Sequence, residues 1–130
     1  MRTFSFRLES DESLIHIFAK IANEEHRLAL DTGASNTVID LAAIIVAGYS
    51  LSDAVDTVQL ETGNGVVDAY VFKLKSFNAL GLMKKDFEVC SYNFFGNNVY
   101  SDIHGVLGLD FFMGIKFCID LEKFEITISD

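Results

Sequence analysis

One acid in the sequence stands in a frame that could do chemistry. Asp31 lies in Leu28-Ala29-Leu30-Asp31-Thr32-Gly33-Ala34-Ser35, between an apolar run and a tight Thr-Gly turn. A lone exposed aspartate is a weak general base at neutral pH. Two carboxylates pressed together behave differently, because like charges in contact cannot both ionise and the pair shares one proton. One carboxylate can then take a proton from water while its protonated neighbour polarises the carbonyl that the water attacks. The sequence has a single Asp-Thr-Gly, and Glu61-Thr62-Gly63 begins with a different acid inside a predicted hairpin. A C2 homodimer supplies the second copy, since a side chain near a twofold axis meets its own mate. Thr32 can hydrogen-bond across such an axis, and Gly33 permits close backbone approach. A plainer reading also stands, because Asp, Thr and Gly make ordinary turns between strands.

The elements that must position Asp31 are short and β-rich. Leu14 to Ala22 mixes alternation with β-branched and aromatic residues, and Arg27 to Leu30 resumes it after the polar cluster Asn23-Glu24-Glu25-His26. This predicts a hairpin that delivers Asp31. Thr37-Val38-Ile39 predicts another strand, after which Asp40 would cap a helix over Leu41 to Gly48. Val58 to Glu61 and Val67 to Leu74 alternate around Thr62-Gly63-Asn64-Gly65, and Asn-Gly is the strongest short hairpin signal. Further strands are expected at Phe87 to Tyr92 and Asn98 to Tyr100. An apolar segment broken by Gly105 and Gly108 follows, and then a hairpin of Lys116 to Asp120 with Phe124 to Ile128. The chain reads as mainly β with one or two short helices.

Composition narrows the function classes. The 130 residues suit one domain, and with 50% of them hydrophobic they can bury a core. The formal net charge of -9 leaves no basic stripe for a phosphate backbone, so no nucleic-acid partner is expected. The apolar window Leu41 to Tyr49 is too short to span a bilayer, and a soluble cytoplasmic protein without a membrane partner is the expectation. Cys90 and Cys118 lack metal or disulfide spacing and read as free buried thiols. His16, His26 and His104 lie far apart in sequence with no metal-ligand spacing, so no metal and no cofactor is expected. Ser35 is outside any G-x-S-x-G elbow, and Thr62-Gly63-Asn64-Gly65 lacks the lysine of a phosphate loop. Asp110 reads as the cap of a last short helix rather than as a catalytic acid. Glu61 and Asp68 read as solvated strand positions, and Phe94-Phe95 and Phe111-Phe112 as core.

Three separated segments together resemble the retropepsin-like aspartic peptidases. Leu28 to Ser35 is similar to that family's active-site loop, including the Ala34-Ser35 step. Gly63-Asn64-Gly65 lies where the family has its flap, and Val106-Leu107-Gly108-Leu109-Asp110-Phe111-Phe112 resembles its apolar-apolar-Gly segment. The order of these segments is also the family's, over Leu14 to Ile128. The Gly-Leu-Asp-Phe-Phe run and the later Ile-Asp-Leu-Glu-Lys hairpin resemble cellular and bacterial members more than viral ones.

The resemblance implies an all-β, closed, acid-protease-like barrel of a single lobe over residues 1–130. It implies a homodimeric aspartic endopeptidase in which Asp31 and its mate activate water, acting on extended polypeptide without a cofactor. Thr32 would brace the two loops, Gly33 would meet the peptide backbone with Ala34 and Ser35 beside it, and Gly63, Asn64 and Gly65 would close over the substrate. Viral members often carry an acid just after the Ala-Ser step and a base after the apolar-Gly segment; here Asn36 and Leu109 stand there. The chain between Asp31 and Gly108 is also longer than in compact viral members, with the addition expected within Phe77 to Asp102. An alternative is a catalytically weak module of the same fold that dimerises or binds peptides. A third reading is a small barrel for a hydrophobic ligand with an accidental Asp-Thr-Gly turn, which predicts a monomer with Asp31 exposed.

Overall fold

The computed structural model describes residues 1–8, 14–63, 65–93 and 103–129. The strands in chain order are β1 (Arg2–Ser5), β2 (His16–Ile21), β3 (Glu24–Leu30), β4 (Val38–Asp40), β5 (Asp56–Thr62), β6 (Gly65–Ala79), β7 (Leu82–Tyr92), β8 (Gly105–Leu107), β9 (Lys116–Asp120) and β10 (Glu125–Ser129). The helix α1 (Leu41–Val46) follows β4, and 3-10 turns occupy Leu51–Asp53 and Leu109–Phe112. The larger sheet runs β2-β3-β8-β4-β7-β6-β5, and an extra β2–β6 pairing closes its first six strands into a barrel. The expected all-β closed barrel is therefore present. A smaller sheet, β1-β10-β9, lies outside that ring.

Alternation explains the barrel. Along β2 the burial pattern flips residue by residue, with Ile17, Ala19 and Ile21 inside, as a strand with one wet face requires. Phe72, Phe77, Phe111, Leu28, Ile39 and Leu107 are fully buried in one cluster. Phe111 meets Phe77 edge-on at 5.6 Å and Phe87 at 6.0 Å, which ties the segment after β8 to the β6–β7 hairpin. Emptying the Phe111 site would cost about 3–5 kcal/mol.

Several expectations are sharpened. Strand β3 begins at Glu24, so the polar cluster taken as a turn contributes only Asn23 to it, together with Ala22 at φ 55. Glu25 faces out and His26 faces in, a pattern that barrel geometry permits and composition hides. The helix forms where expected and stops near Gly48 (φ 107), but Asp40 occupies its N-cap position without a side-chain cap bond. Strands β6 and β7 form one long hairpin turning at Leu80 and Gly81, both with positive φ. Pairing of Thr62 with Gly65 leaves only positions 63 and 64 between β5 and β6. Asn64, the strand expected at Asn98 to Tyr100 and the Phe94-Phe95 pair lie outside the described residues. Cys90 is buried, but Cys118 is exposed, because β9 is an edge strand with one open face. Strand β1 had no sequence signal strong enough to announce it. No described helix is long and apolar enough to cross a membrane.

Candidate active site

The Asp31 loop is fixed from below by two crossing strands. Strand β8 pairs in parallel with β3, Leu30 opposite Leu107, and antiparallel with β4, Val38 opposite Val106. It thus lies between the two arms of the loop that runs from Leu30 to Val38. Leu30 N–H donates to Ile15 O at 2.8 Å, and Asp31 N–H donates to Leu107 O at 3.0 Å. The turn is closed by Ala34 N–H donating to Asp31 O at 3.1 Å and Gly33 N–H donating to Asp31 Oδ1 at 2.9 Å. Asp31, Thr32, Gly33 and Ser35 are nevertheless exposed, and Ala34 is half-buried. The backbone is immobilised and the carboxylate faces outward.

Gly108 permits the crossing. A Cβ there would lie 2.7 Å from Asn36 C and O and 2.8 Å from Ala34 O, all backbone atoms that cannot swing aside. Leu109 N–H donates to Ala34 O at 2.8 Å in the same contact. Gly105, at φ 155, is constrained likewise, since a Cβ would fall 2.2 Å from Val38 O.

Thr37, absent from the expected site residues, is the hub of this crossing. It is fully buried, and every polar group it has is paired. Its N–H donates to Asp110 Oδ2 at 3.0 Å, and its hydroxyl donates to Asp110 Oδ1 at 2.7 Å. The same hydroxyl accepts from Gly108 N–H at 3.1 Å, while Thr37 O accepts from Cys90 N–H at 3.0 Å. Asp110 therefore corrects the expectation of a helix cap: its own turn takes Gly108 as N-cap, and its carboxylate reaches across to Thr37 at the far arm of the Asp31 loop. A threonine opening an apolar strand was the available signal, although it names no partner.

The structure brings Asp31 to Ser35 together with Val106, Leu107 and Gly108. Gly63 and Gly65 sit exposed at the end of the β5–β6 hairpin, and neither of its strands pairs with β3, β4 or β8. Glu61 and Asp68 are solvated, as expected. His26 and His104, far apart in sequence, touch through Nδ1 at 2.8 Å. No cluster of three or more metal-binding side chains occurs among the described residues.

An aspartyl protease family model matches residues 17–111. The chain belongs to the aspartyl protease family. The match spans the Asp31 loop, the β5–β6 hairpin and the β8 segment. Its fold is similar to the crystal structure of a retropepsin-like aspartic protease from Rickettsia conorii. The TM-score is 0.70 at 22% identity, covering 97% of this chain and 89% of that one. No curated protein matches the chain.

Proposed function

We propose that residues 1–130 act as one retropepsin-like domain and that the chain is an aspartic endopeptidase, assembled as a homodimer around an Asp31/Asp31 pair. The observation that carries this is an exposed carboxylate on a backbone hydrogen-bonded to β8, in a loop that lies within the aspartyl protease family match. A twofold axis beside that loop gives each Asp31 a mate and gives Thr32 a partner across the axis.

In the paired state the two carboxylates share one proton. The ionised one takes a proton from a bound water as its oxygen bonds to the peptide carbonyl carbon, and the protonated one gives its proton to the carbonyl oxygen. The tetrahedral diol then collapses, breaking the C–N bond as a proton passes to the leaving nitrogen. No covalent acyl intermediate is needed. Gly33, with Ala34 and Ser35 beside it, offers backbone to an extended polypeptide. Gly63, Asn64 and Gly65 close over the substrate, adding main-chain bonds in the manner of strand addition. Two free thiols fit a reducing compartment such as the cytoplasm.

The test compares wild type with Asp31→Ala on an unfolded protein substrate from acidic to neutral pH, with molecular mass measured in parallel. Cleavage by wild type alone, from a dimer, is expected. Cleavage by both proteins, or by neither in a proven dimer, contradicts the proposal.

A further inference from the structure

His26 and His104 meet at the foot of the two strands that fix Asp31. Downstream of this contact Ala29 stands opposite Val106 and Leu30 opposite Leu107, and Asp31 follows directly. The backbone of His104 joins both neighbours: its N–H donates to Arg27 O at 2.8 Å, and its O accepts from Asp40 N–H at 2.7 Å. The rings lie 5.0 Å apart at their centroids, with Nδ1 to Nδ1 at 2.8 Å. His26 is only 6% exposed, and its Nε2 is buried without a hydrogen-bond partner among the described residues.

Two ring nitrogens at that distance must have one proton between them. Were His26 the acceptor, its neutral ring would carry an N–H on the buried, unpartnered Nε2. The less costly arrangement has His26 Nδ1–H donating to His104 Nδ1, leaving only a lone pair on Nε2. Adding one proton then forces an unpaired N–H into the interior at His26, whichever ring receives it. Adding two sets N–H against N–H and breaks the contact. The charged groups around His26 are Glu24 on β3 and Asp40 at the end of β4, which favour its protonation, and His104, which opposes it; Tyr92 is paired with Asp40 across β4 and β7, and β2 presents Ala19.

We propose that the His26–His104 pair positions the Asp31 loop by tying β3 to the approach of β8, and that protonation of the pair releases this tie and sets the acid limit of the fold and of cleavage. The statement about cleavage rests on the peptidase reading, whereas the statement about the fold does not. Burial, and then the charge of His104, depress the His26 pKa below 6.5. The unfolded chain therefore binds the proton more readily. The stabilisation is fully present above the ordinary histidine pKa and is lost as pH falls from there through the depressed value, by up to about tenfold in the folding equilibrium per pH unit.

The experiment follows the imidazole proton resonances of the wild-type chain by NMR from pH 8 to pH 4, alongside denaturant unfolding and the pH profile of cleavage. One ring of the pair should stay neutral below the pH at which free histidine titrates, and stability should fall over the same interval. His104→Ala should lower kcat more than it raises KM, while His104→Asn, which keeps an oxygen for His26 Nδ1–H, should restore most of the loss and flatten the acid limb. Both rings titrating as free histidine in the wild type would overturn the proposal without any variant. So would stability and cleavage profiles for His104→Asn that superimpose on those of the wild type. Absence of cleavage in every protein would refute the peptidase reading and the cleavage part, while the NMR and unfolding results would still decide the part about the fold.

Discussion

The Thr37 hydroxyl donates to Asp110 Oδ1 at 2.7 Å across 73 residues of chain. This bond joins the far arm of the Asp31 loop to the segment after β8, so the two halves of the candidate site are locked together inside one chain. Because Thr37 is fully buried, water cannot replace any partner it loses.

Replacing Thr37 with Val keeps the shape and removes the hydroxyl, leaving Gly108 N–H and one Asp110 oxygen short of a partner. Denaturant unfolding should show a loss of roughly 1–3 kcal/mol. Cleavage should fall about tenfold or more through misplacement of the loop. Thr37→Ser, which keeps the hydroxyl, should recover most of both. Equal stability of Thr37→Val and wild type would contradict this role.

Gly108→Ala tests the crossing itself. The added methyl meets backbone of Asn36 and Ala34 at under 3 Å, so the loop or β8 must move. A destabilisation of about 1–3 kcal/mol is expected, with loss of activity out of proportion to it. Ala at Gly63, where nothing among the described residues lies within 4 Å, is the control and should leave stability nearly unchanged.

The two thiols should differ sharply. Burial, and then the negative charges of Asp110 and Glu88, push the Cys90 thiol up, and the side chain is enclosed. Cys118 is exposed on β9. A thiol reagent at neutral pH should modify Cys118 quickly and Cys90 only after unfolding, read by mass spectrometry of peptides. Rapid modification of both in the native protein would show that the region beneath Asp110 opens readily.

Local chemistry was legible in the sequence where it is carried by adjacent residues. Leu28 to Ser35 announced a strand ending in an acid and a tight turn, Leu41 to Gly48 a short helix, and Thr62 to Gly65 a hairpin. Each of these depends on periodicity or turn chemistry within a few positions. Thr37 with Asp110 and His26 with His104 were hidden because each pair forms only when β8 enters between β3 and β4. A hydroxyl or imidazole does not advertise a partner more than seventy residues away. Strand β1 escaped for a related reason: Arg2–Ser5 becomes a strand by pairing with β10 at the other end of the chain.

The central claim is that one site needs two copies of Asp31, and mixing chains tests it most directly. Wild type and Asp31→Asn are combined in varied ratios at constant total concentration, exchanged to equilibrium, and assayed on an unfolded polypeptide. If each site takes one Asp31 from each subunit, mixed dimers are inactive and activity falls as the square of the wild-type fraction, to about a quarter at an equal mixture. Activity that falls in direct proportion to the wild-type fraction would mean that each chain carries its own complete site, and would contradict the shared pair.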